Sequence, residues 1–248
     1  MKKIFKKFVQ YYLWLLTKVV LWRYKPEIIA IGGTVNKTLV KEAVRDIFPA
    51  GEKARANPKS YNTEIGLPLA VLYLPSGQSD FFRWLKILAK GTVSALFGRD
   101  FPSKLILELG VDRPRDMDYL LTLVSPRVVV ITDISPVNYL DNFQSLENIA
   151  LEYGKLLAKM PDGGTAVLNY DSLRVRELSK FNPKLKYLSY GLEEGADIRA
   201  VGLMEGADAW QFQISYGGRL GEVQISHPGR RHIYAALAAF ATGVIYGK

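Results

Sequence analysis

Ile28-Ile29-Ala30-Ile31-Gly32-Gly33-Thr34-Val35-Asn36-Lys37-Thr38 runs from an apolar, largely β-branched segment through two glycines to a lysine and a hydroxyl. The first part reads as a buried strand, and Leu39 to Phe48 reads as a helix. A strand that breaks into glycines and delivers Lys-Thr to a helix start has the layout of a phosphate-binding loop. Backbone N–H groups at a helix N-terminus point toward anionic oxygens, and the helix dipole favours negative charge there. Gly33, Thr34, Val35, Asn36, Lys37 and Thr38 are therefore candidate nucleotide-binding residues. Lys37 would be the catalytic cation on a terminal phosphate, and the Thr38 hydroxyl a magnesium ligand. Such loops place glycine immediately before the lysine, where this chain has Asn36. Asn enters the left-handed region at modest cost, so the loop shape can survive. The alternative is an ordinary strand–turn–helix connection with a surface lysine.

The composition narrows the classes. The chain has 248 residues, 48% of them hydrophobic, enough for a sizeable core. It has no cysteine, which excludes disulfides and thiolate metal sites, and only two histidines, His227 and His232. The net charge of +9 is concentrated: residues 1–25 contain seven Lys or Arg and no acid. The remainder is nearly neutral, which argues against a nucleic-acid surface on the body.

Residues 1–24 read as a helix, with Phe5, Phe8, Val9, Tyr12, Leu15, Leu16, Val19 and Val20 recurring at helical spacing. Its apolar run is broken by Lys18 and falls short of the ~20 residues of a membrane span. The expectation is a helix lying on an anionic membrane surface; the alternative is packing on its own domain or a partner chain. Pro26 ends it, dividing the chain into residues 1–25 and a domain of residues 26–248. Pro49 to Ser60 reads as an exposed polar stretch. Phe81 to Phe97 reads as a helix with Phe82, Leu85, Leu88 and Ala89 on one face. Lys104 to Gly110 reads as a strand apolar on both faces, with one carboxylate, Glu108, near its C-terminal end. Ligands bind at that end of open α/β sheets, so Glu108 is a second candidate magnesium ligand. The alternative is a rim glutamate bonded to backbone amides. Strands alternating with helices, followed by β-structure from Ala196 to Ser226, predict an α/β fold. Its sheet is mainly parallel, flanked by helices, with a small antiparallel extension near the C-terminus.

Several segments, in order, resemble the central ATP-binding domain of the Mur ligases, with the branch that adds D-alanyl-D-alanine nearest. They are Ile29 to Thr38 followed by Lys41-Glu42, Asn62 to Pro68, Leu107 to Pro114, Ser145 to Ala150, Ala166 to Asp171, and Gly229 to Tyr234. The resemblance covers about residues 26–248. It implies ATP and magnesium as cofactors in peptidoglycan-precursor synthesis: ATP phosphorylates a carboxylate, and an amine displaces the phosphate to form an amide. It also places Arg231 and His232 near the adenine, and implies a cytoplasmic protein, peripheral on the inner face of the membrane if residues 1–24 bind it.

The chain departs from the family pattern at several positions. Asn36 replaces the loop glycine, and Asn138 or Tyr139 stands where a metal-binding histidine is expected. The position of the carbamylated lysine falls at about Tyr153, with Lys155 near. A His-Asn pair reads Arg231-His232. The family's substrate-binding N-terminal and C-terminal domains have no counterpart in these residues, so a partner chain supplying them is expected if the ligase is active. The other reading is a catalytically inactive relative serving as a membrane-associated structural or regulatory module.

Overall fold

The structure is a computed structural model and describes residues 3–58, 60–138, 140–227 and 229–248. In chain order the elements are α1 (Lys3–Tyr24), β1 (Glu27–Gly32), α2 (Lys37–Asp46), β2 (Ala54–Ala56), α3 (Gly66–Leu72), α4 (Phe81–Phe97), β3 (Lys104–Glu108), α5 (Asp116–Leu123) and β4 (Val128–Ile131). They continue with α6 (Leu140–Phe143), α7 (Leu146–Ala158), β5 (Thr165–Asn169), α8 (Leu173–Arg176) running into a 3-10 turn (Glu177–Phe181), β6 (Lys186–Gly191), β7 (Ile198–Glu205), β8 (Trp210–Tyr216), β9 (Arg219–Ile225) and α9 (Arg231–Ile245).

The strands form one sheet in the order β2-β3-β1-β4-β5-β6-β7-β8-β9. Pairing is parallel from β2 to β7 and antiparallel from β7 to β9. This is the parallel α/β sheet with antiparallel extension that the sequence predicts. β1 lies between β3 and β4, with Ile31 opposite Glu108 and Gly32 opposite Ile131. The chain leaves β1 toward one side of the sheet and later returns to pair on its other side. That reversal opens a crevice at the carboxyl ends of β1, β3 and β4, where α/β sheets bind ligands.

Both faces of the central strands are buried, because helices cover each side. One core layer joins β1, β3 and β4 to α3, α5 and α7, through residues such as Leu67, Leu107, Met117 and Ile149. The opposite layer packs α2 and α9 on Ile29, Ile31, Val130 and Val167. Side chains that compete for backbone amides set the helix starts: Asp80 accepts from Arg83 N–H at α4, and Ser145 from Asn148 N–H at α7. α1 stops at Tyr24, before Lys25 in the left-handed region and Pro26.

Three sequence expectations shift. Pro49 to Ser60 is not simply an exposed loop: Ala54–Ala56 pairs with β3, and Asn57 is buried. In α4 the buried face is Trp84, Ile87, Leu88, Gly91 and Ala95, while Phe82, Leu85 and Ala89 face outward. α1 packs on its own domain, burying Val9, Leu13, Leu16 and Val20 in a satellite core with α3 and α4. Phe8 and Leu15, expected on the same stripe, are exposed. A helix that is apolar around much of its circumference offers more than one candidate inner face, and its neighbours choose between them.

Candidate functional site

The connection after β1 is held from below. Gly33 has φ +125°, and a Cβ there would lie 2.2 Å from Thr132 Oγ1, so the chain turns where no side chain fits. Thr34 N–H donates to Asp133 O at 2.7 Å, and Thr34 Oγ1 accepts from Ser135 N–H at 2.9 Å. Thr132 Oγ1 donates to Val35 O at 2.7 Å. The buried Tyr153 hydroxyl donates to Gly33 O at 2.5 Å. Asn36 caps α2 with φ 62° and ψ 5°. It thus takes the left-handed conformation that a glycine at this position would supply.

Lys37, the first residue of α2, folds back over the loop. Its Nζ donates to Gly33 O at 2.8 Å and to Thr34 O at 3.2 Å. Burial pushes its pKa below the usual lysine value, and the nearby carboxylates of Glu108 and Asp112 offset part of that shift. Thr38 Oγ1 pairs with Ser60 Oγ at 3.1 Å.

Glu108 ends β3, 1% exposed. Lys41 Nζ, on the next turn of α2, lies 3.1 Å from Glu108 Oε1 and is equally buried. The ammonium also donates to Asn57 O at 2.9 Å and lies 3.0 Å from Glu42 Oε1. Neither carboxylate oxygen of Glu108 has a hydrogen-bond partner. A buried carboxylate with open lone pairs is costly unless a cation completes it.

Thr34, Asn36, Lys37 and Thr38 line one cleft of about 400 Å³ together with Glu108, Arg231 and His232. Gly33 and Val35 lie behind it, their carbonyls taken by Lys37, Tyr153 and Thr132. The sequence reading did not assign roles to Lys41, Ser60, Asn62 or Thr132, which support or line this cleft. Lys41 and Asn62 stood in segments that resemble the family, but nothing in them marked either side chain as part of the cleft. Among the described residues no cluster of three His, Cys, Asp or Glu could hold a metal. A hydroxyl and one carboxylate suit magnesium that takes its other ligands from phosphate and water.

The positions of the second family metal site fall elsewhere. Tyr153 is engaged beneath the loop. Lys155 binds Asp118 at 2.7 Å and Glu152 at 2.8 Å, outside the cleft. Asn138 lines a separate, larger cleft of about 830 Å³ with Lys6, Gln10, Glu64, Asp112 and Arg113. Tyr139 lies outside the described residues.

The family model for the Mur ligase middle domain matches residues 94–243. The chain belongs to the Mur ligase middle-domain family. The matched span includes Glu108, Arg231 and His232, and the loop around Lys37 precedes it. The chain is 30% identical over 176 residues to the UDP-N-acetylmuramoyl-tripeptide–D-alanyl-D-alanine ligase of Synechocystis, covering 70% of this chain and 33% of that protein. It is 28% identical over 131 residues to the Borreliella burgdorferi enzyme of the same name, covering 53% and 23%. The chain thus matches about a quarter to a third of the length of these relatives. MurF ligase from Thermotoga maritima in complex with ADP superposes with a TM-score of 0.74 at 19% identity, covering 95% of this chain and 49% of that one. A folylpolyglutamate synthase from L. casei gives a TM-score of 0.62 at 14% identity, covering 96% and 64%. These likenesses extend the shared fold across the loop that the family model leaves out.

Proposed function

We propose that this Mur-ligase middle domain binds magnesium-ATP in the cleft between β1, β3 and α9, and that it serves ATP-dependent joining of a carboxylate to an amine. The observation that carries this reading is the convergence of Lys37, Thr38 and the hydrogen-bond-free carboxylate of Glu108 on one crevice. The ADP complex of a structural relative is consistent with it.

In this reading the N-terminal amides of α2 and the Lys37 ammonium face the terminal phosphates. Lys37 leaves the carbonyls of Gly33 and Thr34 when phosphate arrives, exchanging neutral acceptors for a charged one. Thr38 and Glu108 would hold magnesium, which would supply charge neutralisation at the phosphate oxygens. Lys41, 3.1 Å from Glu108 Oε1, holds that side chain from beneath the cleft. Arg231 and His232 flank the nucleoside side. Catalysis of phosphoryl transfer rests mainly on such positioning and charge neutralisation. A carboxylate oxygen of the substrate takes the γ-phosphoryl group as ADP leaves, giving an acyl phosphate; the amine then bonds to the acyl carbon, loses a proton and displaces inorganic phosphate. Groups that bind a peptidoglycan precursor and an incoming amino acid or dipeptide come from outside this domain.

The test is thermal unfolding with and without magnesium-ATP. At a nucleotide concentration a hundredfold above Kd, binding stabilises the folded state by about 2.7 kcal/mol. The melting temperature of the wild-type chain should rise accordingly, and that of Lys37→Ala should not. A wild-type chain indifferent to millimolar magnesium-ATP overturns the reading.

A further inference from the structure

α1 and α4 each bury one apolar face and expose another. On α1 the buried stripe is Val9, Leu13, Leu16 and Val20. Ile4, Phe8, Tyr11, Leu15 and Trp22 share the opposite stripe at helical spacing, and all are exposed. On α4, Trp84, Ile87, Leu88 and Ala95 point inward, whereas Phe82, Leu85, Val93, Leu96 and Phe97 point out. More than half of the exposed large hydrophobics among the described residues sit on these two helices. Isolated exposed apolar residues are ordinary, but a contiguous patch of this kind is not.

The two outer stripes join. The helices run side by side in the same direction. The rings of Phe5 and Phe81 lie 4.7 Å apart near their N-termini, and the Tyr12 hydroxyl meets Thr92 Oγ1 at 2.8 Å. Near the C-termini Arg23 donates to the carbonyls of Ala95 and Leu96. Those contacts fix the line along which the helices meet. On each helix the outer stripe begins just past that line, on the side away from the core. Phe8 and Leu15 of α1 therefore continue into Leu85 and Leu96 of α4 as one apolar surface.

The edges of this surface are basic. Lys7 and Lys18 border it on α1 and Arg83 and Lys90 on α4, while Lys86 stands within the α4 stripe, all exposed. Neither helix contains an acidic residue. No helix among the described residues is long and apolar enough to cross a membrane. An apolar strip with a cationic rim complements the interface of an anionic bilayer, where acyl chains lie beneath negative headgroups.

We propose that α1 and α4 together form a face that docks this domain in the plane of an anionic lipid surface. The unit is the helix pair, not the N-terminal helix alone, because half of α1's apolar residues are consumed in attaching it to the domain.

Flotation of the full chain with vesicles tests this directly. The chain should float with vesicles rich in phosphatidylglycerol and at least tenfold less with pure phosphatidylcholine, and raising the salt should weaken the binding. Phe82→Glu combined with Leu85→Glu, both on α4, should reduce flotation at least tenfold while leaving α1 intact. A second variant, Lys86→Glu with Lys90→Glu, should do the same and touches no buried position. Circular dichroism and thermal melts confirm that each variant is folded. Wild-type chain that stays with the unbound protein overturns the proposal. So does full binding by both α4 variants, which would leave α1 as the only anchor. A wild-type dimer in sedimentation that becomes monomeric in these variants, with no vesicle binding, overturns it in favour of a contact between copies.

Discussion

Two clefts open side by side at the carboxyl edge of the sheet, and they are built in opposite ways. Asn62 lines one and Gly110 the other, and a Cβ on Gly110 would lie 2.6 Å from Asn62 Nδ2, so this contact forms the partition. The smaller cleft rests on buried groups: Lys41 beneath Glu108, Tyr153 and Thr132 beneath the loop. Its polar atoms are held in place yet not fully satisfied. The larger cleft is walled by surface groups that satisfy one another. Lys6 pairs with Glu64 at 3.4 Å, the Asp116 carboxylate accepts from the amides of Asp112 and Arg113, and Asn142 donates to Asp112 O. Cavity size alone would favour the larger one. Burial of an incompletely paired charge favours the smaller, because such a group carries a folding cost that a ligand can relieve.

The sharpest way to break this contrast is Lys41→Met. Removing one partner of a buried ion pair should cost about 3–5 kcal/mol in urea unfolding. Adding Glu108→Gln to it should recover much of that loss, because the uncompensated charge goes too. A single variant that unfolds like the wild type would mean that Glu108 is not held as described.

Tyr153→Phe keeps the ring under the loop and removes the hydroxyl that donates to Gly33 O. It should lower stability by about 1–2 kcal/mol, since a buried acceptor loses a donor. Lys37 also donates to that carbonyl, so the loss should deepen when ATP draws Lys37 away, and ATP affinity should fall with it. Titration calorimetry of the variant checks this. An unchanged affinity would make Tyr153 mere packing.

At Asn36 the expected effects are smaller. Asn36→Ala should cost about 1 kcal/mol, the strain of a left-handed alanine, whereas Asn36→Gly should be close to neutral. Paired chemical denaturation curves separate the two. Equal behaviour would show that φ 62° at this position is not under strain. Smallest of all, Lys6→Ala in the larger cleft should move stability by about 0.5 kcal/mol or less, as for other exposed ion pairs. A larger effect in the same denaturation assay would erase the difference between the clefts.

Much of this was legible in the residues. The strand, the glycines and the Lys-Thr pair announced the loop, and the lone carboxylate closing an apolar strand marked Glu108. Asn36 could be assigned a left-handed backbone because few other side chains tolerate one. Tyr153 and Lys41 were not legible as supports. Their partners lie far away in sequence, as with Tyr153 and Gly33, or depend on which face of a helix turns inward.

By itself the sequence determined the alternation of strands and helices, the position of the turn that begins α2, and the family to which the ordered segments point. Those properties follow from local backbone preference and short-range pattern. Only the tertiary structure decided that β1 runs between β3 and β4, bringing Glu108 level with Ile31 beside the loop. It also decided which faces of α1 and α4 are inside. Both helices are apolar on more than one side, and burial goes to whichever side meets complementary neighbours across the chain.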